Sequence, residues 1–579
     1  MGIWASIKGA FRSPDDISAA VYGAYEGADV HGQELRDWLP SLGSANDDML
    51  PEKELLDARG RSVQRNDPVV ASSLELVKTG VVGTRMVLSS KPDAALLGDD
   101  FTEEVTNKVA SEIESLWHVY AESTSKHIDA SRQRTLTDMV RMACVNFMIE
   151  GEFLATVEWR PGQKFGTKIQ PVDIARLSNP DGQMDSRTST KQMIAGIEYD
   201  ADMVPMAYHI QTQHPSEFYL GSGERKWKRV PARKPWGRPM VIHIREHLRA
   251  EQSRGVGRVV SVLKTLRCLK KFDETKLRNA TIKSLFVATT ESNESPFTIY
   301  QQLGMGGPSA GSAMDPKAVG KGIVDVATAH LNASRAYEKS GNVAKVNDGP
   351  RVVHLMPGTK FNMHSPSDAE LSPEFDKSWM RKIAAALGMS YEELSKDMDK
   401  ASFAAMKAAM SMTYQTMKLL KSIVADPLAT TVFTVWLEEV VERGLLKSLP
   451  PSARRSGWIY EGNNLDGLAN CSWLGASRSS VNEYQDMQAA KMRLELGLST
   501  IEDEAALLGK DYSELIQQQA REAKEYQKYG MVPPPHANRL VSQSTAAQAP
   551  GTDQAQASAD VQERLAAVEQ FVEDAQNDQ

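Results

Sequence analysis

Cysteine is nearly absent. Cys144, Cys268 and Cys471 are the only three in 579 residues, far apart and without a CxxC pair. That spacing argues against a disulfide framework or a cysteine-based zinc site and fits a reducing compartment. Positive charge is not in excess: the net charge is −8. A chain that clamps nucleic acid along its whole surface is usually basic, so only local basic stretches stay in play. No apolar run approaches the ~18 residues of a spanning helix. The best candidate, Val432–Leu437, runs straight into Glu438 and Glu439. Gly (39) and Pro (27) are at ordinary levels, which excludes collagen-like and wholly disordered chains.

Catalytic signatures are missing as well. Gly320-Lys321 and Gly509-Lys510 lack the upstream Gly and the following Ser/Thr of a phosphate-cradling loop. No HExxH occurs, and Glu246-His247 has no second His on the same helical face. The 11 His are scattered; His243 and His247, four apart across a strand-to-helix junction, read as structural. One G-x-S-x-G match exists, Gly307-Pro308-Ser309-Ala310-Gly311. A nucleophile elbow needs a strand before and a helix after, whereas these flanks are Gly, Pro, Ser and Ala. A loop is the favoured reading, and a soluble hydrolase using Ser309 is the competing one. No cofactor and no metal site are expected.

At roughly 150 residues per domain the length fits about four domain-sized units. Residues 1–50 read as an arm with one or two short helices. Its start matches the myristoylation pattern through Gly2 and Ser6, but Ile3, Trp4 and Phe11 read better as an arm docking on a neighbour. Helical periodicity covers 52–66, 68–79, 102–122 and 132–150, with a strand near 84–89. From 151 to 250 the period turns to two. Strands are predicted at 153–159, 168–171, 193–199, 205–210 and 241–244, with Asn-Pro-Asp-Gly at 179–182 as a turn. A long helix follows over 258–283. Between Arg245 and Lys283 there are 11 Lys+Arg against 4 Asp+Glu. A Gly/Pro/Ser/Ala-rich loop spans 303–316, and further helices fall at 323–339 and 372–387. A long Ala/Met helix over 402–424 breaks at Pro427 and resumes to about 443. Met398, Met406, Met410, Met412 and Met417 of this Met-rich stretch suit adaptable packing rather than a cofactor box. The stretch 479–527 is helical and charged, 530–558 is a linker, and Val561, Leu565, Val568 and Val572 make a short heptad-like helix.

Several ordered segments carry a resemblance. Arg65-Asn66-Asp67-Pro68 is followed by Thr79-Gly80-Val81-Val82-Gly83, Arg134-Thr135-Leu136 and Gly151-Glu152-Phe153. Pro171-Val172, Leu177-Ser178-Asn179-Pro180 and Gln252-Ser253-Arg254-Gly255-Val256 come next. Then come His354-Leu355-Met356-Pro357-Gly358, the run Ile383–Leu394, Asn470-Cys471-Ser472-Trp473-Leu474-Gly475 and Gly497-Leu498-Ser499-Thr500. Each piece is weak alone. In this order, over about residues 50–530, they resemble the lambda-type portal family of tailed double-stranded DNA bacteriophages.

The resemblance implies an α+β portal fold, mainly helical, with a mixed β wing and clip. It maps the chain as arm 1–50, wing 51–250, stem helix 251–283, clip 284–365, second stem helix 366–388 and tunnel loop 389–401. A kinked wing helix at 402–447, wing and crown helices at 448–530, and a linker with C-terminal helix at 531–579 complete it. It also implies a non-enzymatic ring, typically dodecameric, at one capsid vertex, passing double-stranded DNA in packaging and ejection. The implied partners are the large terminase subunit, a head–tail adaptor or head-completion protein, and the major capsid and scaffold proteins, with no membrane. The implied setting is the virion, with the host cytoplasm during assembly.

On that map Lys396 and Lys400 make a basic girdle at a constriction, with Asp397 and Asp399 tempering it and Ser402 beside them. Lys264, Arg267, Lys271 and Arg278 on the first stem helix face either the channel or carboxylates of the next subunit. Intersubunit pairing is favoured, because charged helices in rings usually find opposite charges. Pro427 is the expected kink.

Overall fold

The computed structural model describes residues 37–40, 42–187, 192–220, 225–285, 289–290, 328, 353–354, 373–399, 402–478, 480 and 482–532. Ser309, Lys400, most of the expected clip, most of the arm and the heptad-like helix at 561–572 lie outside them. The chain divides into two units, one of residues 1–82 and 91–470, the other of 83–90 and 471 onward.

In the first unit, the Ser44 hydroxyl accepts the amide of Asp47 and starts helix α1, Ala45–Asn66. Periodicity alone predicts this helix from 52. The structure starts it inside the expected arm and carries it through Pro51, at the loss of one backbone bond. Asp67 closes α1 and caps α2, Pro68–Val77, with Pro at the first helical position. A π-helical turn, Lys78–Val82, follows. Beyond β1 (Val87–Ser90), which belongs to the second unit, come α3 (Ala94–Leu97), α4 (Glu103–Ala121) and α5 (Leu136–Glu150). A Thr135/Asp138 capping box opens α5, and Gly151 at φ +81° closes it.

Two antiparallel sheets follow. β2 (Glu152–Trp159) lies between β3 (Thr167–Val172) and β9 (Val241–Arg245), with Leu154 opposite both Val172 and His243. The second sheet is a meander of β4 (Ser186–Arg187), β5 (Gln192–Ile194), β6 (Ile197–Tyr199), β7 (Pro205–Gln211) and β8 (Trp227–Pro231). The stretch 193–199, read from sequence as one strand, is a hairpin. Ala195 and Gly196 both take positive φ, as a tight two-residue turn requires. Strand β8 escapes the period-two signal because three of its five residues are Trp, Lys and Arg on a largely exposed edge.

Helix α6, Leu263–Leu285, continues from a 3-10 turn at Arg258–Val262. Short parallel pairs Thr289–Thr290 (β10) and Val353–His354 (β11) are what is described of the 286–372 span apart from residue 328. Helices α7 (Pro373–Ala386), α8 (Tyr391–Ser395), α9 (Phe403–Leu420) and α10 (Asp426–Glu442) come next, then the short α11 (Asn464–Leu468). The break expected at Pro427 is absent. A π-helical turn, Lys421–Ala425, joins α9 to α10 and absorbs the missing proline N–H, so helix runs from Phe403 to Glu442. By length and composition this 40-residue helix is apolar enough to cross a membrane, although it contains no unbroken apolar run of spanning length. Its apolar side chains serve a protein core: Leu428, Val432, Phe433, Trp436 and Val440 are buried. Trp436 sits among the rings of Trp117, Tyr120, Phe165 and Phe433, with centroids 5.1–6.4 Å away.

In the second unit β1 pairs antiparallel with β12, Cys471–Leu474. Three charged helices follow, α12 (Glu483–Glu495), α13 (Ile501–Leu507) and α14 (Tyr512–Lys528). Neither α12 nor α14 buries a residue within the chain.

Candidate functional site

Helices α6 and α7 meet, and α6 and the connector after α7 carry most of the described candidate residues. Pro373 starts α7, whose first turn meets the middle of α6. The Phe272 and Phe375 rings are 4.9 Å apart, Trp379 extends the stack at 5.8 Å, and Lys276 pairs with Asp376. The Lys276 ammonium also lies 4.5 Å from the Phe272 centroid.

The four cations singled out on α6 take no part in this. Lys264, Arg267, Lys271 and Arg278 are all exposed. None has a carboxylate within 4.0 Å among the described residues. Lys264, Arg267 and Lys271 rim an open groove of about 940 Å³ between α6 and α1, with Arg59 opposite and an apolar floor of Leu56, Val63 and Leu266.

The connector is built rather than loose. Gly388, at φ +72°, ends α7 with paired backbone bonds from Gly388 to Ala385 and from Met389 to Ala384. A Cβ on Gly388 would meet Thr416 of α9 at 2.6 Å. Ser390 caps α8 and accepts its cap bond from the Glu393 amide. Buried Leu394 receives a hydrogen bond on its carbonyl from Ser72 of α2. A polar connector was expected here; the short helix and its anchorage were not.

The charges then divide. Asp397 is held by Lys377 of α7 at 2.7 Å and by the Tyr391 hydroxyl at 2.9 Å. The Lys377 hydrogen bond comes first among the causes that lower its carboxyl to a pKa of about 2. The Arg381 guanidinium lies 5.3 Å from the Tyr391 ring. Lys396 sits one residue before Asp397, in the left-handed region at φ +59° that ends α8, and is exposed. The charge of Asp397 is taken by α7, whereas Lys396 stays exposed. Asp399 is exposed and gives its backbone N–H to Asp397, and Ser402 caps α9. Sequence reasoning missed Lys377 and Tyr391. Their spacing of 20 and 6 from Asp397 crosses a turn, so no helical periodicity connects them.

A second constellation was missed because its members lie about 100 residues apart. Glu152, fully buried, receives Arg254 Nε at 2.9 Å, Lys53 Nζ at 3.2 Å and His243 Nε2 at 2.8 Å. Arg245 approaches His243 Nδ1 at 2.6 Å, so the ring donates through Nε2 and accepts at Nδ1. Burial pushes the His243 pKa down to about 4, which keeps it neutral near pH 7. Burial opposes ionisation of Glu152, but its cationic neighbours, Arg254 first, hold it well below the ordinary carboxylate range. Here Gly151-Glu152-Phe153 and Gln252-Ser253-Arg254-Gly255-Val256 lie face to face. A Cβ on Gly151 would come within 2.2 Å of the Val256 backbone, and one on Gly257 within 1.9 Å of the Ile149 carbonyl. The cluster thus clamps the chain entering α6 onto the turn between α5 and β2.

No group of three or more His, Cys, Asp or Glu among the described residues could hold a metal ion. His243 and His247 are both engaged by Arg245, and His243 also by Glu152.

A family model described as phage portal protein, lambda family, matches residues 31–421. The portal protein of Escherichia phage N15 is 31% identical over 517 residues, spanning 88% of this chain and 92% of that one. Portal protein B of Escherichia phage lambda is 29% identical over 532 residues, spanning 90% and 93%. A chain from the neck of a native gene transfer agent particle covers 80% of this chain and 99% of itself, with 11% identity and a TM-score of 0.34.

Proposed function

Since the chain belongs to the lambda family of phage portal proteins, we propose that it closes into a dodecameric ring at one capsid vertex and conducts double-stranded DNA. The observation that carries this reading is the basic face of α6. Lys264, Arg267, Lys271 and Arg278 are exposed, and within the chain no carboxylate answers them among the described residues. Four unanswered cations on one helix of a chain with net charge −8 suit a surface completed by another copy. They pair with carboxylates of the next subunit, and the α6–α7 pair forms the stem.

The connector 389–401 lines the constriction in this reading. Lys396 faces the channel, while Asp397, tied back by Lys377, holds the connector in place. A conduit must grip weakly, because each phosphate contact adds to affinity through counterion release. A negative ring field keeps DNA from adhering to the remaining walls. The protein acts in the virion and assembles in the host cytoplasm. It carries no enzymatic activity of its own, and Ser309 has no chemical role. The large terminase subunit docks on the clip during packaging and a head–tail adaptor replaces it. Scaffold and major capsid proteins bind the wing.

Electron-microscopy averages of the purified full-length protein, with native mass alongside, test the ring. A ring with an open axial channel is expected, and a monomer at every concentration would refute the conduit. Lys271→Glu is then expected to weaken ring assembly. Wild-type ring yield from that variant at physiological salt would refute the pairing.

A further inference from the structure

The groove between α1 and α6 has cationic walls. Arg59 of α1 and Lys264, Arg267, Lys270 and Lys271 of α6 line it, and all five are exposed. None is paired with a carboxylate among the described residues. Asp67 is the one carboxylate on the lining, and its Oδ1 is taken by the Val69 and Val70 amides as the cap of α2. The floor is apolar: Leu56 and Val63 of α1, with Val260, Leu263 and Leu266, of which Leu266 alone is buried. The α6 wall, Val260 to Lys271, runs about 16 Å and the α1 wall, Leu56 to Asn66, about 15 Å.

A segment of the chain's own sequence carries the complementary pattern. Residues 560–579, which lie outside the described residues, hold six Asp+Glu against one Arg. Val561, Leu565, Val568 and Val572 recur there at i, i+4, i+7 and i+11, the anchor spacing of a helix laid in a groove. A helix over 561–572 would be about 16 Å long, the length of the groove walls. Residues 1–36, with five Asp+Glu against three Lys+Arg, offer no such concentration of negative charge.

We propose that the groove takes the acidic C-terminal segment, 560–579, of another copy of this chain, laid as a helix with its apolar stripe on the floor and its carboxylates against the walls. The inference rests on the reading that another copy completes the basic face of α6, and it names the segment that does so. Docking relieves the mutual repulsion of five crowded cations and removes two apolar faces from water.

The test is cross-linking between full-length chains. One chain carries Val568→Cys and Cys268→Ser, and is co-expressed with an epitope-tagged wild-type chain, whose Cys268 is exposed on the groove lining. A short bis-maleimide linker is expected to join the two chains well above the background set by Cys268→Ser in both. Gln570→Cys in place of Val568→Cys puts the thiol on the far side of the expected helix, and should give roughly five-fold less product. Arg59→Glu/Lys270→Glu in the tagged chain spares the cations already assigned to ring pairing, and should also cut the product roughly five-fold, since two attractions become repulsions. Product at background overturns the proposal, as do equal products from the two thiol positions or an undiminished product after charge reversal. Linkage confined to single chains, when Val568→Cys is placed in a chain that keeps Cys268, overturns it by assigning the groove to the chain's own segment. Rings in electron micrographs with background product would sink this inference and leave the ring standing; product between copies without rings would do the reverse.

Discussion

Arg254→Met is the most demanding test of the Glu152 cluster. The substitution keeps much of the side-chain length but removes the charge, leaving a fully buried carboxylate with Lys53 and His243 as its remaining side-chain partners. Removing one member of a buried pair costs about 3–5 kcal/mol, because the other charge stays desolvated. Arg254 also donates to the carbonyls of Leu177 and Ala195, each at 3.2 Å, which places the cost toward the upper end. At about 2.1 cal/mol/K per residue, over roughly two hundred residues packed around the cluster, this lowers Tm by roughly 7–12 °C. Calorimetry of the full-length protein reads it directly. Glu152→Gln is expected to cost a similar amount, and the double variant Glu152→Gln/Arg254→Met less than the sum, since neither charge is then stranded. A Tm loss under ~2 °C for Arg254→Met, or strict additivity in the double variant, would refute the view that these charges stabilise one another.

His243 gives the cluster a pH signature. Its folded pKa of about 4 lies below the ordinary 6.5, so between those values the unfolded chain binds the extra proton. Stability is full above pH 6.5 and falls toward pH 4, at up to ~1.4 kcal/mol per pH unit from this group; His243→Gln should flatten that limb in acid-unfolding curves. Gly257→Ala must push a methyl into the Ile149 carbonyl, and is expected to reduce stability by ~3 kcal/mol or more, seen as lost soluble yield or a lowered Tm. Pro427→Ala is expected to leave helical circular dichroism unchanged within error, because helix already passes through this position; a clear gain in helicity would show that Pro427 breaks it in solution. Lys377→Met releases Asp397 from α7, and limited proteolysis should then cut faster near 396–400 than in wild type.

Elements with a long local period were legible in the sequence. Helices α4 and α5 fall within a few residues of their expected bounds, because one face of each must be apolar and caps such as Thr135 mark their ends. The errors fall where tertiary context decides. Residues 193–199 have the alternation of one strand, but Ala195-Gly196 folds them back under the neighbouring Leu177–Pro180 segment. Pro427 looked like a breaker because local rules count its missing N–H, whereas a π-turn supplies the slack. The charges on α6 were visible as composition. Their exposure was not, since exposure depends on where α1 and α7 lie.

The connector shows the same division at finer scale. Lys396, Asp397 and Asp399 were visible as a run of mixed charge, which suggests mutual neutralisation. In the structure Asp397 answers Lys377 instead, twenty residues back on a different helix. Residues adjacent in a loop compete with every cation the fold brings near. Here the left-handed turn at Lys396 ends α8 and sends Asp397 toward α7. The same reasoning explains why Glu152 and Arg254 could be seen only as separate motifs. Each is placed by a glycine-rich turn, and those turns fit together only because Gly151, Gly255 and Gly257 carry no side chain. The backbone contact comes first, and the ion pair is its consequence. Gly257→Ala should therefore weaken the Glu152–Arg254 coupling as well as stability. A double-mutant cycle repeated in the Gly257→Ala background is expected to give less than half the coupling measured in wild type. An undiminished coupling would show that the charges hold this joint without the glycines.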